Sequence, residues 1–184
     1  MTGGTGRAGT PGGQRRIGHL VRRFVTSVRG REPDGADERW AASLLSPAEL
    51  ALWQRLHATD RAHAVEVARR VSSAYTDRVV LAAALMHDIG KVEADSGVVV
   101  RVVASLIGPL VSDGRAEQLA RRQGAVGSLG RQLRYPVIGA RLLADAGSDR
   151  LVIQWAAEHH QPRHRWTVAP DIGGALQAAD DASR

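Results

Sequence analysis

The sequence predicts an all-α protein with one helical domain, and three observations favour this class. Apolar residues make up 43% of the 184 residues, which is enough for an ordinary buried core. They are mainly Ala, Val and Leu, and Ala is the strongest helix former. Signals that start or stop helices recur along the chain, most clearly in the capping pattern Ser46-Pro47-Ala48-Glu49.

The basic character of the chain belongs to its N-terminal segment. Residues 1–31 contain seven arginines and no acidic residue, and the rest of the chain has 18 basic and 19 acidic residues. The net charge of +6 therefore does not indicate a nucleic-acid surface on the domain. We predict a disordered basic tail at 1–14, a basic amphipathic helix followed by a linker at 15–37, and the folded domain at 38–184.

The basic N-terminal helix has an apolar stripe whose contacts the sequence leaves open. The stripe has helical spacing and consists of Ile17, Leu20, Val21, Phe24, Val25 and Val28. It can pack on the chain's own domain, bind a partner, or lie on an anionic surface such as a membrane or a nucleic acid. No apolar run approaches the roughly 20 residues of a membrane span, so we expect a cytoplasmic protein without a transmembrane segment.

Capping residues and apolar spacing place the helices of the domain. Ser46 should cap a first helix, Thr59 or Asp60 a second, and Asp77 a third that Gly90 ends. In chain order, the predicted helices cover about residues 46–57, 61–75, 78–89, 98–110, 136–146, 150–160 and 175–180.

The segment between these early helices and the last three is less regular. Residues 98–110 form a Val-rich run, which we predict to be a helix because a lone strand would have no partner. Residues 113–130 are predicted as a connection with one short helix at 117–122. Pro136 is expected to open the next helix, which Gly147 ends.

The absence of cysteine limits the chemistry of the chain. It excludes disulfides, thiolate metal sites and cysteine nucleophiles. A metal site must then be built from His, Asp and Glu, which favours harder divalent ions. The strongest candidate is Leu85–Lys91, where His87 and Asp88 follow an apolar helix and Gly90 lets the backbone turn, so that both side chains can face one site.

Two further side chains require a partner inside the fold. His63 lies among apolar positions of an earlier helix, and Asp180 lies near the inner face of the last helix. A buried imidazole or carboxylate without a partner carries a desolvation cost. Each residue alone is more often an ordinary core or surface residue, but one divalent ion bound by His63, His87, Asp88 and Asp180 would satisfy all four.

These four residues resemble the H…HD…D signature of the HD superfamily of metal-dependent phosphohydrolases, and His87–Lys91 matches its His-Asp-Ile-Gly-Lys core. The resemblance covers about residues 46–181. It implies an all-α HD-domain bundle around divalent metal, with Mn, Fe, Ni, Co or Mg as the candidate ions. It also implies that a metal-activated water hydrolyses a nucleotide or another small phosphate ester. The leading hypothesis is therefore a standalone bacterial HD hydrolase.

The resemblance also implies roles for individual residues. Asp88 would orient the water or accept its proton, and Lys91, the only lysine of the chain, would contact the substrate phosphate. His159 and His160 resemble a pair that helps to bind a second metal ion, although a plain exposed helix end is the alternative. Tyr135 stands where multi-metal relatives have a histidine, which favours a site for one ion.

The competing function is a non-catalytic HD module that binds metal or a nucleotide in a regulatory role. Tyr135 favours this module, as do the weakly marked substrate contacts, for which only Arg61 and Arg163 remain as reserve phosphate ligands. The complete set of four predicted metal ligands favours the enzyme. Fold and motif indicate the class of reaction but leave the substrate open.

Overall fold

The computed structural model describes residues 33–94, 100, 103–104, 107 and 111–183. All of these belong to the second of the two units of the chain, Arg31–Arg184. The tail predicted at 1–14 and the basic helix predicted to follow it lie outside the described residues. So does most of the helix predicted at 98–110, whose few described residues are helical.

Every regular element among the described residues is a helix, in agreement with the predicted all-α class. In chain order these are α1 (Gly35–Leu44), α2 (Pro47–Trp53), α3 (Ala58–Val71), α4 (Arg78–Met86), α5 (Lys91–Ala94), α6 (Asp113–Ala120), α7 (Gly124–Asp145), α8 (Arg150–Glu158), a short 3-10 helix (Arg163–Arg165) and α9 (Pro170–Asp181).

Three of the predicted helix starts are confirmed by their capping hydrogen bonds. Ser46 forms a complete capping box, in which its Oγ accepts from the Glu49 amide at 3.2 Å and Glu49 Oε2 accepts from the Ser46 amide at 2.8 Å. The side chains of Asp77 and Asp149 accept from the amide two residues ahead, at 2.7 and 2.8 Å. These caps fix where α2, α4 and α8 begin.

The predicted linker is wrong at its C-terminal end. α1 begins at Gly35, inside the segment that was predicted to connect the basic helix to the domain. Asp34 explains this start, because its Oδ1 accepts hydrogen bonds from the amides of Ala36 and Asp37, both at 2.8 Å.

The boundary between α2 and α3 also differs from the prediction. α2 ends at Trp53 rather than near His57, and α3 begins at Ala58. The cap of α3 is His57, whose Nδ1 accepts from the Thr59 amide at 3.4 Å. The expectation that Thr59 or Asp60 would cap this helix is therefore wrong, and Asp60 is available for another role.

The prediction for Pro136 is wrong, and residues 113–130 are more helical than the predicted connection with one short helix at 117–122. Most of that segment is helical, and Pro136 lies inside the 22-residue helix α7 instead of opening it. Proline removes only one backbone donor, and tertiary packing compensates for it here. A Cβ on Gly130 would lie 2.1 Å from the amide nitrogen of Ala120, so α6 and α7 pack backbone against backbone.

α4 is the centre of the helical packing, and all of its residues from Val80 to Met86 are buried. It packs against α1, α3 and α8, while α9 packs on α3 and α7 packs on α5, α6 and α8. The C-terminal end of α4 therefore lies among helices that are far apart in sequence. Among the described residues, no helix is both long and apolar enough to cross a membrane.

Candidate metal centre

The four residues predicted as metal ligands lie together although three separate parts of the chain contribute them. His63 projects from α3, His87 and Asp88 follow α4, and Asp180 lies in the last turn of α9. His87 is 2% exposed, Asp88 3% and Asp180 6%. Asp180 is therefore buried although it lies at the end of the last helix.

Three of the four residues have ligand atoms close enough to share an ion, and Asp180 lies beside them. One ligand atom each of His63, His87 and Asp88 lies within 4.8 Å of the others, a group that could hold a metal ion. Asp180 Oδ1 lies 3.0 Å from His63 Nε2 and 4.0 Å from His87 Nε2. With metal–ligand bonds of about 2.1 Å, adjacent ligand atoms lie about 3 Å apart and opposite ones about 4.2 Å. The two separations from Asp180 Oδ1 fall in this range.

Backbone carbonyls fix the orientation of two buried imidazoles. His87 Nδ1 lies 2.8 Å from the Ala84 carbonyl, and His159 Nδ1 lies 3.0 Å from the Ala156 carbonyl. Because a carbonyl only accepts, each Nδ1 must carry the proton and donate it. In the neutral rings the lone pair is then on Nε2, and both Nε2 atoms face the carboxylate of Asp88, at 3.4 Å for His87 and 3.6 Å for His159.

The carboxylate of Asp88 has one oxygen that protein hydrogen bonds leave unsatisfied. Its Oδ1 is completely buried and has no hydrogen-bond partner. A buried carboxylate oxygen facing the lone pair of a neutral imidazole is unfavourable unless a cation or a proton lies between them. The donor set of imidazole and carboxylate groups around this oxygen fits a divalent ion.

The pKa shifts of the cluster show how strongly these groups interact. Burial lowers the pKa of His87, but the Asp88 and Asp180 carboxylates outweigh it, so the pKa of His87 is raised. Burial raises the pKa of Asp88, but Lys91 and His87 hold it well below its usual range. Burial lowers the pKa of His159, which keeps that ring neutral. The two carboxylates therefore favour the protonated form of His87.

Lys91 reaches the same carboxylate from the start of α5. Its Nζ donates to Asp88 Oδ2 and lies 3.4 Å from Asp60 Oδ1. Asp60 is 7% exposed, and its sequence context indicated only a helix cap. Its position three residues before His63 places the two side chains on one face of α3, and this spacing is the signal that could have identified Asp60.

The pair predicted as a second-metal site is joined by Tyr135. The Tyr135 hydroxyl lies 3.2 Å from His159 Nε2 and also hydrogen-bonds His160 Nε2. The Lys91 ammonium lies 5.6 Å from the centre of the tyrosine ring. The structure thus brings His159 and His160 to the candidate centre, with the phenol between their Nε2 atoms.

A close backbone contact holds Tyr135 in this position. A Cβ on Gly90 would lie 1.8 Å from the Tyr135 carbonyl oxygen, and a Cβ on Gly139 would lie 2.9 Å from the Gly90 amide nitrogen. Only glycine permits two backbones to approach so closely. Gly90 therefore lets α7 pack on the turn that carries His87 and Asp88.

The two arginines considered as phosphate ligands make other contacts. Arg61 Nε donates to Glu38 at 3.1 Å, and its guanidinium also donates to the Leu56 carbonyl. Arg163 Nε donates to Gln177 at 3.1 Å. These contacts link Arg61 to Glu38 of α1 and place Arg163 beside α9.

Comparison of the chain with protein-family models, with curated proteins and with solved structures gave no match. The geometry of the His63, His87 and Asp88 group therefore carries the functional argument.

Proposed function

We propose that the chain is a cytoplasmic, metal-dependent phosphohydrolase of the HD type. Its substrate would be a nucleotide or another small phosphate ester. The observation that carries this proposal is the buried Asp88 Oδ1, which lacks a hydrogen-bond donor and faces His159 Nε2 at 3.6 Å. A set of buried acceptors that converge in this way is characteristic of a cation site.

The residues around the centre would bind the ion and orient the attacking water. His63, His87, Asp88 and Asp180 would hold one divalent ion, and the carbonyl contacts of His87 and His159 keep their rings in the ligand orientation. When bound, the ion would activate a water and withdraw charge from a phosphoryl oxygen. Asp88 would orient that water or accept its proton.

Charge near the centre supports a phosphate ester as the substrate. The Lys91 ammonium lies at the edge of the site and provides donors that match phosphate oxygens. Arg163 and Arg165 lie on exposed positions in the segment that follows α8. These cations favour an anionic substrate over a neutral one.

The second candidate is a non-catalytic module that binds metal or a nucleotide in regulation. The observation in its favour is the Tyr135 hydroxyl, which hydrogen-bonds both His159 and His160. A phenol in this place occupies the imidazole nitrogens that would otherwise bind a second ion or a phosphate. Such a protein would bind its ligand without turnover.

Metal content tests the site. Elemental mass spectrometry of purified protein should find about one Mn, Fe, Ni, Co or Mg ion per wild-type chain, and none in His87→Ala. His164→Ala is the matched control, because this exposed histidine lies outside the cluster and its loss should leave the metal in place. A metal-free wild type that also takes up no added Mn²⁺ would contradict the hydrolase and the metal-binding form of the regulatory module.

Turnover separates the two candidates. The Mn²⁺-loaded protein is incubated with a panel of nucleotides and phosphate esters at substrate concentrations far above that of the protein. Release of many phosphates per chain, abolished in His87→Ala and retained in His164→Ala, supports the hydrolase. Saturable binding of a nucleotide with no phosphate released supports the regulatory module instead.

A further inference from the structure

Lys91 bridges two buried carboxylates at the edge of the candidate centre. Its Nζ donates to Asp88 Oδ2 and lies 3.4 Å from Asp60 Oδ1. The side chains of Asp60 and Asp88 are 9% and 4% exposed, and that of Lys91 is 17% exposed. The bridge therefore joins the lysine to one carboxylate inside the proposed ligand set and to one outside it.

The two partners of Lys91 differ once a divalent ion is bound. Asp88 would then be a ligand, and an ion with two charges repels an ammonium that contacts the same carboxylate. Asp60 is not a proposed ligand, so its negative charge remains for Lys91. A largely buried ammonium that lost both carboxylates would carry a large desolvation cost. Asp60 is thus a carboxylate that can retain Lys91 when Asp88 binds metal.

We propose that Asp60 is a positioning residue that retains the Lys91 ammonium beside the metal centre, where the ammonium can bind a phosphate oxygen. The inference rests on the proposed function and adds a residue that contacts neither the ion nor the substrate. It also means that Lys91 and the ion compete for Asp88.

The role of Asp60 is tested by whether Asp60→Asn weakens or tightens phosphate binding. Inorganic phosphate is titrated calorimetrically into the full chain loaded with Mn²⁺. Removing a negative charge near an anion site tightens phosphate binding on electrostatic grounds alone. If Asp60 acts through Lys91, Asp60→Asn instead weakens binding about tenfold, because the charged hydrogen bond from Lys91 is lost. In a Lys91→Met background, Asp60→Asn should no longer weaken phosphate binding.

Two further variants control for the loss of a carboxylate. Glu66→Gln removes an acid from the same helix, where Glu66 is half exposed and pairs with Arg70 at 2.8 Å, and phosphate binding should not change. Asp60→Glu keeps the carboxylate and should restore most of the affinity that Asp60→Asn loses. Restoration by glutamate separates positioning of Lys91 from a general packing role.

The affinity for Mn²⁺ tests the competition without any phosphate. Lys91→Met should bind Mn²⁺ about tenfold more tightly than the wild type, because the competing ammonium is removed from Asp88. Equal or weaker binding by Lys91→Met overturns the inference. This measurement tests the inference even if Asp60→Asn fails to fold, as shown by loss of its helical circular dichroism.

Failure of the inference differs from failure of the proposed function. A wild type that binds no Mn²⁺ contradicts both. A wild type that binds Mn²⁺ but no phosphate overturns the inference alone. Tighter phosphate binding by Asp60→Asn also overturns the inference. Equal weakening by Asp60→Asn in the wild type and in the Lys91→Met background overturns it as well.

Discussion

At the scale of single residues, the candidate centre depends on hydrogen bonds made on the far side of its histidine rings. His87 and His159 each follow the last turn of a helix, and each donates Nδ1–H to the carbonyl three residues earlier. The free carbonyls at a helix end thus select the tautomer in which Nε2 faces the centre. Two separate helices thus orient an imidazole in the same way.

The raised pKa of His87 predicts how metal binding depends on pH. Protonation of His87 between the carboxylates stabilises the metal-free fold at low pH, and this contribution is lost as the pH rises through the raised pKa. Metal requires the neutral ring, so below that pKa the apparent Mn²⁺ affinity should fall by up to about tenfold per pH unit. Calorimetric titrations from mildly acidic to mildly basic pH measure this slope, and a flat profile would contradict the role of His87.

Gly90→Ala should be strongly destabilising. The added Cβ would lie 1.8 Å from the Tyr135 carbonyl oxygen and 2.7 Å from the Gly139 amide nitrogen, and neither backbone can move without separating α7 from the turn. We expect a loss of about 3 kcal/mol or more in the free energy of unfolding, measured with chemical denaturant.

Gly174→Ala provides the control for that measurement. Gly174 lies inside α9, and a Cβ there meets nothing within 4 Å. Alanine should therefore be neutral or stabilise by up to about 1 kcal/mol through its higher helix propensity. Equal losses at the two positions would show that the contact at Gly90 is not the cause.

At the scale of helices, the caps predict a contrast between two serines. Ser46→Ala removes the hydrogen bond that Ser46 Oγ accepts from the Glu49 amide, leaves the one from the residue 46 amide to Glu49, and should cost about 1 kcal/mol of stability. Ser112 is also an N-cap, but its side chain makes no capping hydrogen bond to α6. Ser112→Ala should therefore change the free energy of unfolding by less than about 0.5 kcal/mol. Denaturant unfolding of both variants checks the difference.

The elements that could be predicted from sequence are those that local chemistry determines. Ser46, Asp77 and Asp149 lie directly before the helices they cap, so a short window contains the whole signal. The His87–Lys91 segment was likewise recognisable as a candidate site because His87 and Asp88 are adjacent. The all-α class followed from the same local signals.

The remaining elements depend on contacts that no short window contains. α7 continues through Pro136, with Gly130 packed on α6 and Gly139 packed on Gly90, whereas proline alone indicated a helix start. Asp60 finds its partner Lys91 at a separation of 31 residues, so its sequence context indicated only a cap. Residues of this kind acquire their roles from the tertiary fold.

At the scale of the whole molecule, metal should act as a long-range crosslink. His63 and Asp180 are 117 residues apart and lie on α3 and α9, so the unfolded chain cannot present them together. Mn²⁺ at about a hundred times its dissociation constant should therefore add about 2.7 kcal/mol to the free energy of unfolding. For a chain of this size, the melting temperature should rise by about 5–10 °C.

Thermal unfolding with Mn²⁺ and with EDTA measures this stabilisation. His87→Ala should melt at the same temperature in both conditions, whereas His164→Ala should behave like the wild type. A rise in the melting temperature of His87→Ala would place the bound ion elsewhere on the molecule.

The packing around His159 also gives the protein a built-in optical probe. The buried indole of Trp155 lies with its ring centre 6.2 Å from that of His159. Paramagnetic ions such as Mn²⁺ and Co²⁺ shorten the excited state of a nearby indole, so occupancy of the centre should dim the intrinsic emission of the protein. Ion binding could then be followed in real time on the unlabelled chain, and Trp155→Phe should remove this change in fluorescence.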